Sequence, residues 1–394
     1  MIAKISSLMR EKMMTILQRD IDYAEIQKRL SSYKVTALLG PRQSGKTTLA
    51  RQFQCNHYFD LENPRDIAQF QNPQLTLERC KGLIIIDEIQ RQPELFPLMR
   101  FLVDTRPEQQ YLILGSASRD LIQQSSESLA GRIAYYTLLG FRKQDISLEE
   151  IEALWLRGGL PSSFLAGNDD ISYQWREEYI RTFLERDIPA LGIRIPAETL
   201  RRFWHMVSHY HGNLINFSEI GRSFGIASTT VQRYIDILMG TFMIRTVQPW
   251  FINISKRLVK RPKLYFCDSG IFHSLLAIET PEALYRHPKL GASWEGFALD
   301  CVWRSIGKAD ELAYFWATHS GAEVDLFWQH DGKHWACEFK FADAPTLTKS
   351  MLSALSTLNL EKLWVIYPGN AKYHIHEQIE VFPLRDIPGY WEYM

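Results

Sequence analysis

Neither sign of charge prevails in this chain: Lys and Arg number 45, Asp and Glu number 45, and the formal net charge is zero. That excludes a uniformly basic nucleic-acid coat and a uniformly acidic solvating tail, although a total of zero still permits a local basic face. Cysteine is scarce, with five residues at 55, 80, 267, 301 and 337 and no CxxC pair. An odd count at wide spacing argues against a disulfide framework or a structural zinc site. Reduced thiols in or near cores fit a cytoplasmic protein. Long apolar runs are missing too. The longest purely aliphatic one is Leu83–Ile86, far too short to cross a bilayer, so no membrane association is expected. The first twenty residues are broken by charge every few positions, which leaves no apolar core for a signal peptide. Internal repeats and low-complexity tracts are also lacking. What remains is ordinary globular composition, 46% apolar and 23% charged over 394 residues. That length predicts roughly two to four domains.

Residues 1–34 read as helical, with apolar spacing at Ile21, Ile26 and Leu30. Residues 35–145 alternate short apolar runs (Val35–Leu39, His57–Asp60, Leu83–Asp87, Tyr111–Gly115, Ala134–Leu138) with amphipathic stretches. That alternation predicts an α/β fold with a parallel sheet wrapped by helices. The pattern turns helical from 146 to 195. A short helical unit and a hairpin follow, and from 291 a helix, three strands, a helix and a strand can be traced. The expected units are 1–145, 146–195, 196–270 and 271–394.

Gly40-Pro41-Arg42-Gln43-Ser44-Gly45-Lys46-Thr47-Thr48 follows the first apolar run and opens a helical pattern. This is the strand–loop–helix setting of a phosphate-binding loop. Its glycines let backbone N–H groups point at phosphate oxygens, Lys46 would neutralise the β- and γ-phosphates of ATP, and the Thr47 hydroxyl would ligate Mg²⁺. Leu83-Ile84-Ile85-Ile86-Asp87-Glu88 is a buried central strand with two carboxylates at its C-terminal end. Asp87 would hold the hydrated Mg²⁺ and Glu88 would polarise the attacking water. Ser116, after the run Tyr111–Gly115, is placed to sense the γ-phosphate or simply to make a turn. Arg132, just before the fifth run, reads as a finger for a neighbouring subunit's nucleotide or as a surface ion pair. Phe96, Phe101 and Tyr111 read as core rather than as a threading loop.

GPRQSGKTTLA, LIIIDEIQR, LILGSAS and ESLAGR, in this order and spacing, resemble the AAA+ P-loop ATPases of bacteria and archaea. The closest likeness is to the subgroup fused to a further C-terminal domain. Tyr179–Ile188 and Leu264–Gly270 extend the resemblance over nearly the whole chain. It implies a helical lid near 146–195, Ser116 as sensor, Arg132 as arginine finger, and a homo-oligomer of ring or partial-ring form, hexameric in the fullest case. For the second sensor arginine, Arg157 and Arg186 stand as alternatives.

Residues 197–250 read as a winged helix-turn-helix. Ser218 would cap the first helix. In the second, Ser228–Leu238, Val231, Tyr234, Ile235 and Leu238 form the apolar face, leaving Ser228, Thr229, Gln232 and Arg233 free to meet DNA. Met243–Val247 and Lys263–Cys267 would pair as a wing. Lys256, Arg257, Lys260, Arg261 and Lys263, around and between those strands, form a basic run suited to DNA phosphates.

Farther on, Glu295 opens a helix, Asp325 lies mid-strand, and Glu338 and Lys340 share one face of the next strand by its period of two. Asp325 and Glu338 would bind Mg²⁺ with Glu295 completing the shell. Lys340 would position or deprotonate water or steady the phosphorane. This D…ExK arrangement and its helix–three strands–helix–strand order resemble the PD-(D/E)XK nuclease superfamily, which implies metal-dependent DNA cleavage where activity is retained. The whole reads as an ATP-hydrolysing protein that binds and processes DNA, duplex or branched. The alternative is an ATP-dependent assembly switch with an inactive nuclease-like binding domain.

Overall fold

Val35–Leu39 (β1) is buried along its whole length, as a strand covered on both faces must be. His57–Asp60 (β2), Gly82–Asp87 (β3), Gln109–Gly115 (β4) and Ile133–Thr137 (β5) join it in one parallel sheet ordered β2-β3-β4-β1-β5. The computed structural model describes residues 17–116, 125, 127–190, 195–250, 261–307 and 312–391. With β4 between β1 and β3, the loop after β1, the carboxylates after β3 and Ser116 after β4 converge on one edge of the sheet. Open parallel sheets take their ligands at that edge. Helix Asp20–Ser32 covers one face through Ile26 and Leu30. Helix Leu95–Thr105 covers the other through Phe96, Met99 and Leu102. Phe96 and Tyr111 are core, but Phe101 is 51% exposed, because it lies on the water side of its helix.

The second sheet has nine strands. Asn213–Leu214 (β6), Ile244–Pro249 (β7) and Lys263–Phe266 (β8) come first, with β8 antiparallel to both β6 and β7. Ala313–Ala317 (β9), Glu323–His330 (β10), Lys333–Phe339 (β11), Lys362–Tyr367 (β12), Tyr373–His376 (β13) and Ile379–Pro383 (β14) make the rest, ordered β13-β14-β12-β11-β10-β9-β7-β8-β6. The β7–β8 pair, expected as a wing, is not a free hairpin. β7 pairs in parallel with β9 through Gln248–Tyr314 and Pro249–Phe315, so the hairpin extends the C-terminal sheet. Helix Lys349–Leu358 is the crossover between the parallel strands β11 and β12. The closing hairpin β13–β14 was not expected from the sequence.

Helices Phe217–Phe224 and Ser228–Gly240 are joined through Gly225 at φ +66°, a left-handed cap that glycine adopts at little cost. The N-cap is Asn216, whose Oδ1 accepts the Glu219 N–H at 3.2 Å, rather than Ser218. Val231, Ile235 and Leu238 are buried, Tyr234 is half-buried, and Ser228, Thr229, Gln232 and Arg233 face solvent.

The stretch 146–195 does not close on itself as a separate lid. Leu154, Trp155, Leu156 and Phe164 pack into the core beneath the C-terminal sheet, with the Trp155 ring 5.3 Å from Trp294 and 6.2 Å from Phe297. Tyr179, Ile180, Phe183, Leu184 and Ile188 instead join the core built around helices Ala197–Ser208 and Ser228–Gly240. Helix Ile151–Arg157 buries three consecutive large side chains, which need more apolar surface than a short lid supplies.

Candidate functional site

The loop Gly40–Thr47 curls back over the end of β1. Gly40 has φ +154°, and a Cβ there would lie 2.0 Å from the Leu138 carbonyl oxygen, so only glycine fits. Lys46 is buried, and its Nζ donates to the carbonyls of Gly40 at 3.0 Å and Pro41 at 2.7 Å. Burial pushes its pKa down to about 8, against the pull of Glu88 and Asp87. Thr47 Oγ1 donates to Asp87 Oδ2 at 2.8 Å, and the Tyr58 hydroxyl donates to the same oxygen at 2.8 Å. Thr47 and Asp87 therefore meet where a magnesium ion and its waters would bridge them, which fits the donor set for Mg²⁺ with ATP. Glu88 sits at φ +56°, and its N–H donates to Asp87 Oδ1 at 2.9 Å. Burial, then the neighbouring Asp87 charge, raises the pKa of its carboxyl, making it a stronger base for water. Gln90 bridges the Glu88 carboxylate and Ser116 Oγ, the latter at 3.0 Å. The structure thus gathers Gly40, Pro41, Arg42, Ser44, Lys46, Thr47, Asp87, Glu88 and Ser116. Gln43 and Thr48 lie on the solvent side of the same loop.

A cleft of about 330 Å³ opens in front of this loop. One wall is Gly40, Pro41, Arg42, Gln90, Arg91 and Ser116; the other is Phe183, Asp187, Thr241 and Met243 from the middle of the chain. Phe183–Asp187 winds as a π-helical turn, a feature common at functional sites. Arg42 Nη1 meets Asp187 Oδ1 at 2.6 Å across the cleft, and the Tyr179 hydroxyl donates to the Arg42 carbonyl at 3.3 Å. Arg42 and Arg91 line this cleft, whereas Arg157 and Arg186 do not. Arg157 is held by Asp169 at 2.6 Å and by the carbonyls of Phe164 and Ala166, and Arg186 faces solvent. Arg132 lies at the opposite edge of the sheet, before β5, and grips Asp104 through Nε at 2.7 Å and Nη2 at 2.9 Å.

The second constellation assembles from three elements. Glu295 comes from helix Leu290–Trp303, Glu323 and Asp325 from β10, Glu338 from β11 and Lys340 from just beyond it. Asp325 falls where the β9–β10 register slips between Val324 and Phe327; such bulges re-aim side chains. Asp325 Oδ2 accepts the Phe339 N–H at 3.1 Å. Lys340 Nζ lies 3.5 Å from Glu338 Oε2. Burial alone would raise the pKa of Asp325, but Lys263 and a hydrogen bond from Glu338 hold it below the ordinary carboxylate range. Burial and the Asp325 charge push Glu338 well up and Glu295 to about 7.

Lys263 corrects two expectations. It was expected to face DNA phosphates, yet it is only 4% exposed. Its Nζ lies 3.1 Å from Asp325 Oδ1 and 3.6 Å from Glu295 Oε1, and it also pairs with the Glu323 carboxylate. The ammonium thus stands among carboxylates of which Glu295 and Asp325 were expected to hold Mg²⁺. Among the described residues no group of three or more His, Cys, Asp or Glu side chains is spaced to hold a metal ion. Of the remaining basic run, Arg261 is exposed, while Lys256, Arg257 and Lys260 lie outside the described residues.

Residues 32–147 match the family described as an AAA domain. Residues 148–282 and 290–387 match two families, each described as a domain of unknown function (DUF8612 and DUF4143). The uncharacterized protein Rv2008c of Mycobacterium tuberculosis is 44% identical over 379 residues, covering 94% of this chain and 85% of its own length. The chain belongs to the family of that protein. The uncharacterized protein Mb2031c of Mycobacterium bovis matches to the same extent. Among solved structures, the Walker-type ATPase of Pyrococcus abyssi is 16% identical with a TM-score of 0.45, over 66% of this chain and 96% of that one. A signal-transduction ATPase with numerous domains from Pyrococcus horikoshii is 12% identical with a TM-score of 0.31, over 73% of this chain and 48% of that one. The first sheet and its loop are thus those of an AAA-type P-loop ATPase. No helix among the described residues is long and apolar enough to cross a membrane.

Several residues that carry structure rather than chemistry were not assigned from sequence. Arg19 is buried and donates to the carbonyls of Ser44 at 2.8 Å and of Leu139 and Gly140 at 2.9 Å, tying the phosphate loop to the end of the sheet. Asp268, in the Cys267–Gly270 motif, accepts the N–H groups of Ile271 and Gly159, both at 2.9 Å. It holds two units together rather than acting on a ligand. Tyr265, whose hydroxyl donates to Glu295 Oε1 at 2.6 Å, stands two positions from Lys263 on β8. The strand's period of two would have put the pair on one face.

Proposed function

We propose that this chain is an ATP-driven switch on DNA: Mg²⁺ and ATP bind at Gly40–Thr48, hydrolysis is run by Asp87 and Glu88, and the winged helix meets the duplex. The cleft whose two walls are the phosphate loop and the winged-helix unit carries this reading. Asp187 and Met243 line the same cleft as Arg42, and Met243, three residues past helix Ser228–Gly240, leads into β7. Lys46 would turn from the Gly40 and Pro41 carbonyls to the phosphates, Glu88 would take the proton of the attacking water, and Gln90 with Ser116 would orient that water. Thr47 and Asp87 would hold Mg²⁺, which when bound would supply neutralisation of the phosphate charge. Ser228, Thr229, Gln232, Arg233 and Arg261 are the exposed groups for DNA. In a homo-oligomeric ring, Arg132 would leave Asp104 for the neighbour's phosphates. The buried Lys263 favours the switch over a DNA-cutting motor. The test is Mg²⁺-dependent ATPase activity with and without duplex and four-way-junction DNA, beside Lys46→Ala. Stimulation by DNA and loss of turnover in Lys46→Ala are expected; turnover that persists in Lys46→Ala, or never responds to DNA, overturns the reading.

A further inference from the structure

The C-terminal carboxylates gather around a cation that the chain supplies itself. Lys263 reaches them from β8, a strand of the wing, whereas Glu295, Glu323 and Asp325 belong to the unit beyond it. An ammonium has three N–H donors, and three carboxylates stand around this one. The stem is enclosed, and Nζ lies 5.6 Å from the centre of the Phe315 ring. The backbone of Lys263 is also fixed on both sides, paired with Leu214 of β6 and Val247 of β7. A swing out of the cluster therefore requires the wing itself to move.

We propose that Lys263 is the resident cation of this cluster, standing in for a divalent metal and closing the site to one. The C-terminal unit then binds without cutting, and the cluster rivets the wing to the last unit. This inference needs only the carboxylates and the lysine. It stands or falls separately from the ATPase and DNA-switch reading, because its deciding measurement, a count of bound Mn²⁺, uses neither nucleotide nor DNA.

The probe is Mn²⁺ alone, counted by electron paramagnetic resonance on the full chain without nucleotide, for wild type, Asp325→Asn, Lys263→Met and Lys263→Met/Asp325→Asn. Wild type and Asp325→Asn should bind the same amount. Lys263→Met should gain one Mn²⁺ per chain, and Asp325→Asn in that background should remove it. A folded Lys263→Met protein that gains no ion overturns the proposal. So does a wild-type site that Asp325→Asn abolishes. Should Lys263→Met fail to fold, Lys263→Arg keeps the charge, and wild type against Asp325→Asn still decides. Equal counts support the lysine as cation, and a wild-type excess refutes it. Wild-type protein should leave supercoiled plasmid intact in Mn²⁺; cleavage that Asp325→Asn removes is a second refutation.

Discussion

Replacing Asp187 by Asn should tighten ATP binding. Asp187 and Arg42 face each other across the cleft at 2.6 Å, with side chains 11% and 26% exposed. An incoming triphosphate is opposed twice: the carboxylate repels it, and the guanidinium it needs is engaged. Two unit charges 4 Å apart interact by about 4 kcal/mol at an effective dielectric of 20. Water reaches a quarter of Arg42, and its fork has donors beyond those one carboxylate uses. We therefore take about a third of that figure, ~1.4 kcal/mol, or roughly tenfold in Kd. Asn keeps the size and the hydrogen-bonding oxygen, so the π-helical turn should persist. Titration calorimetry with ATP and Mg²⁺ measures the shift directly, and Arg42→Ala should move affinity the other way. An Asp187→Asn protein that binds ATP no better than wild type, or worse, would show that Asp187 helps to hold the nucleotide. The competition argument would then be wrong.

Two further outcomes follow from the same geometry. Lys46 titrates near 8 among its present partners, and phosphate charge raises that value. ATP binding should therefore take up a fraction of a proton around pH 8 and none near pH 6, where Lys46 is already charged. Affinity should weaken as pH rises through 8, and calorimetry in buffers of different ionisation enthalpy reads both effects. On the winged helix, Arg233→Ala should weaken duplex binding several-fold and lower the slope of log K against log salt by about one. An unchanged slope would mean that this face does not meet phosphate.

The first sheet was legible almost residue by residue, because apolar runs such as Leu83–Ile86 are long enough to be buried strands and end in polar groups that mark the ligand edge. The order of the C-terminal elements from 290 to 367 was legible for the same reason. Two things were not. Lys263 reads as one more cation in a basic run, since a composition window cannot see that β8 is an inner strand and that its lysine turns inward. Asp187 lies nearly 150 residues from Arg42, and no local pattern connects them. The sharing of helices 151–190 between two cores was hidden as well. An amphipathic helix shows that it has an apolar face, but not which neighbour covers that face.

The pairing of β7 with β9 covers only two residue positions, yet it removes a degree of freedom. Helix Ser228–Gly240 and the carboxylate cluster ride on the same twisted sheet, so the distance and angle between them are set by the pleat and twist of its strands. On the proposed DNA reading, a duplex seated on that helix would be presented to the last unit at one inclination only. The pair would then act as a fixed-jaw gauge: straight, bent and branched duplexes would differ in whether they reach the second jaw. Selectivity of this kind would depend on the shape of the nucleic acid and would leave little trace in the bases it contacts.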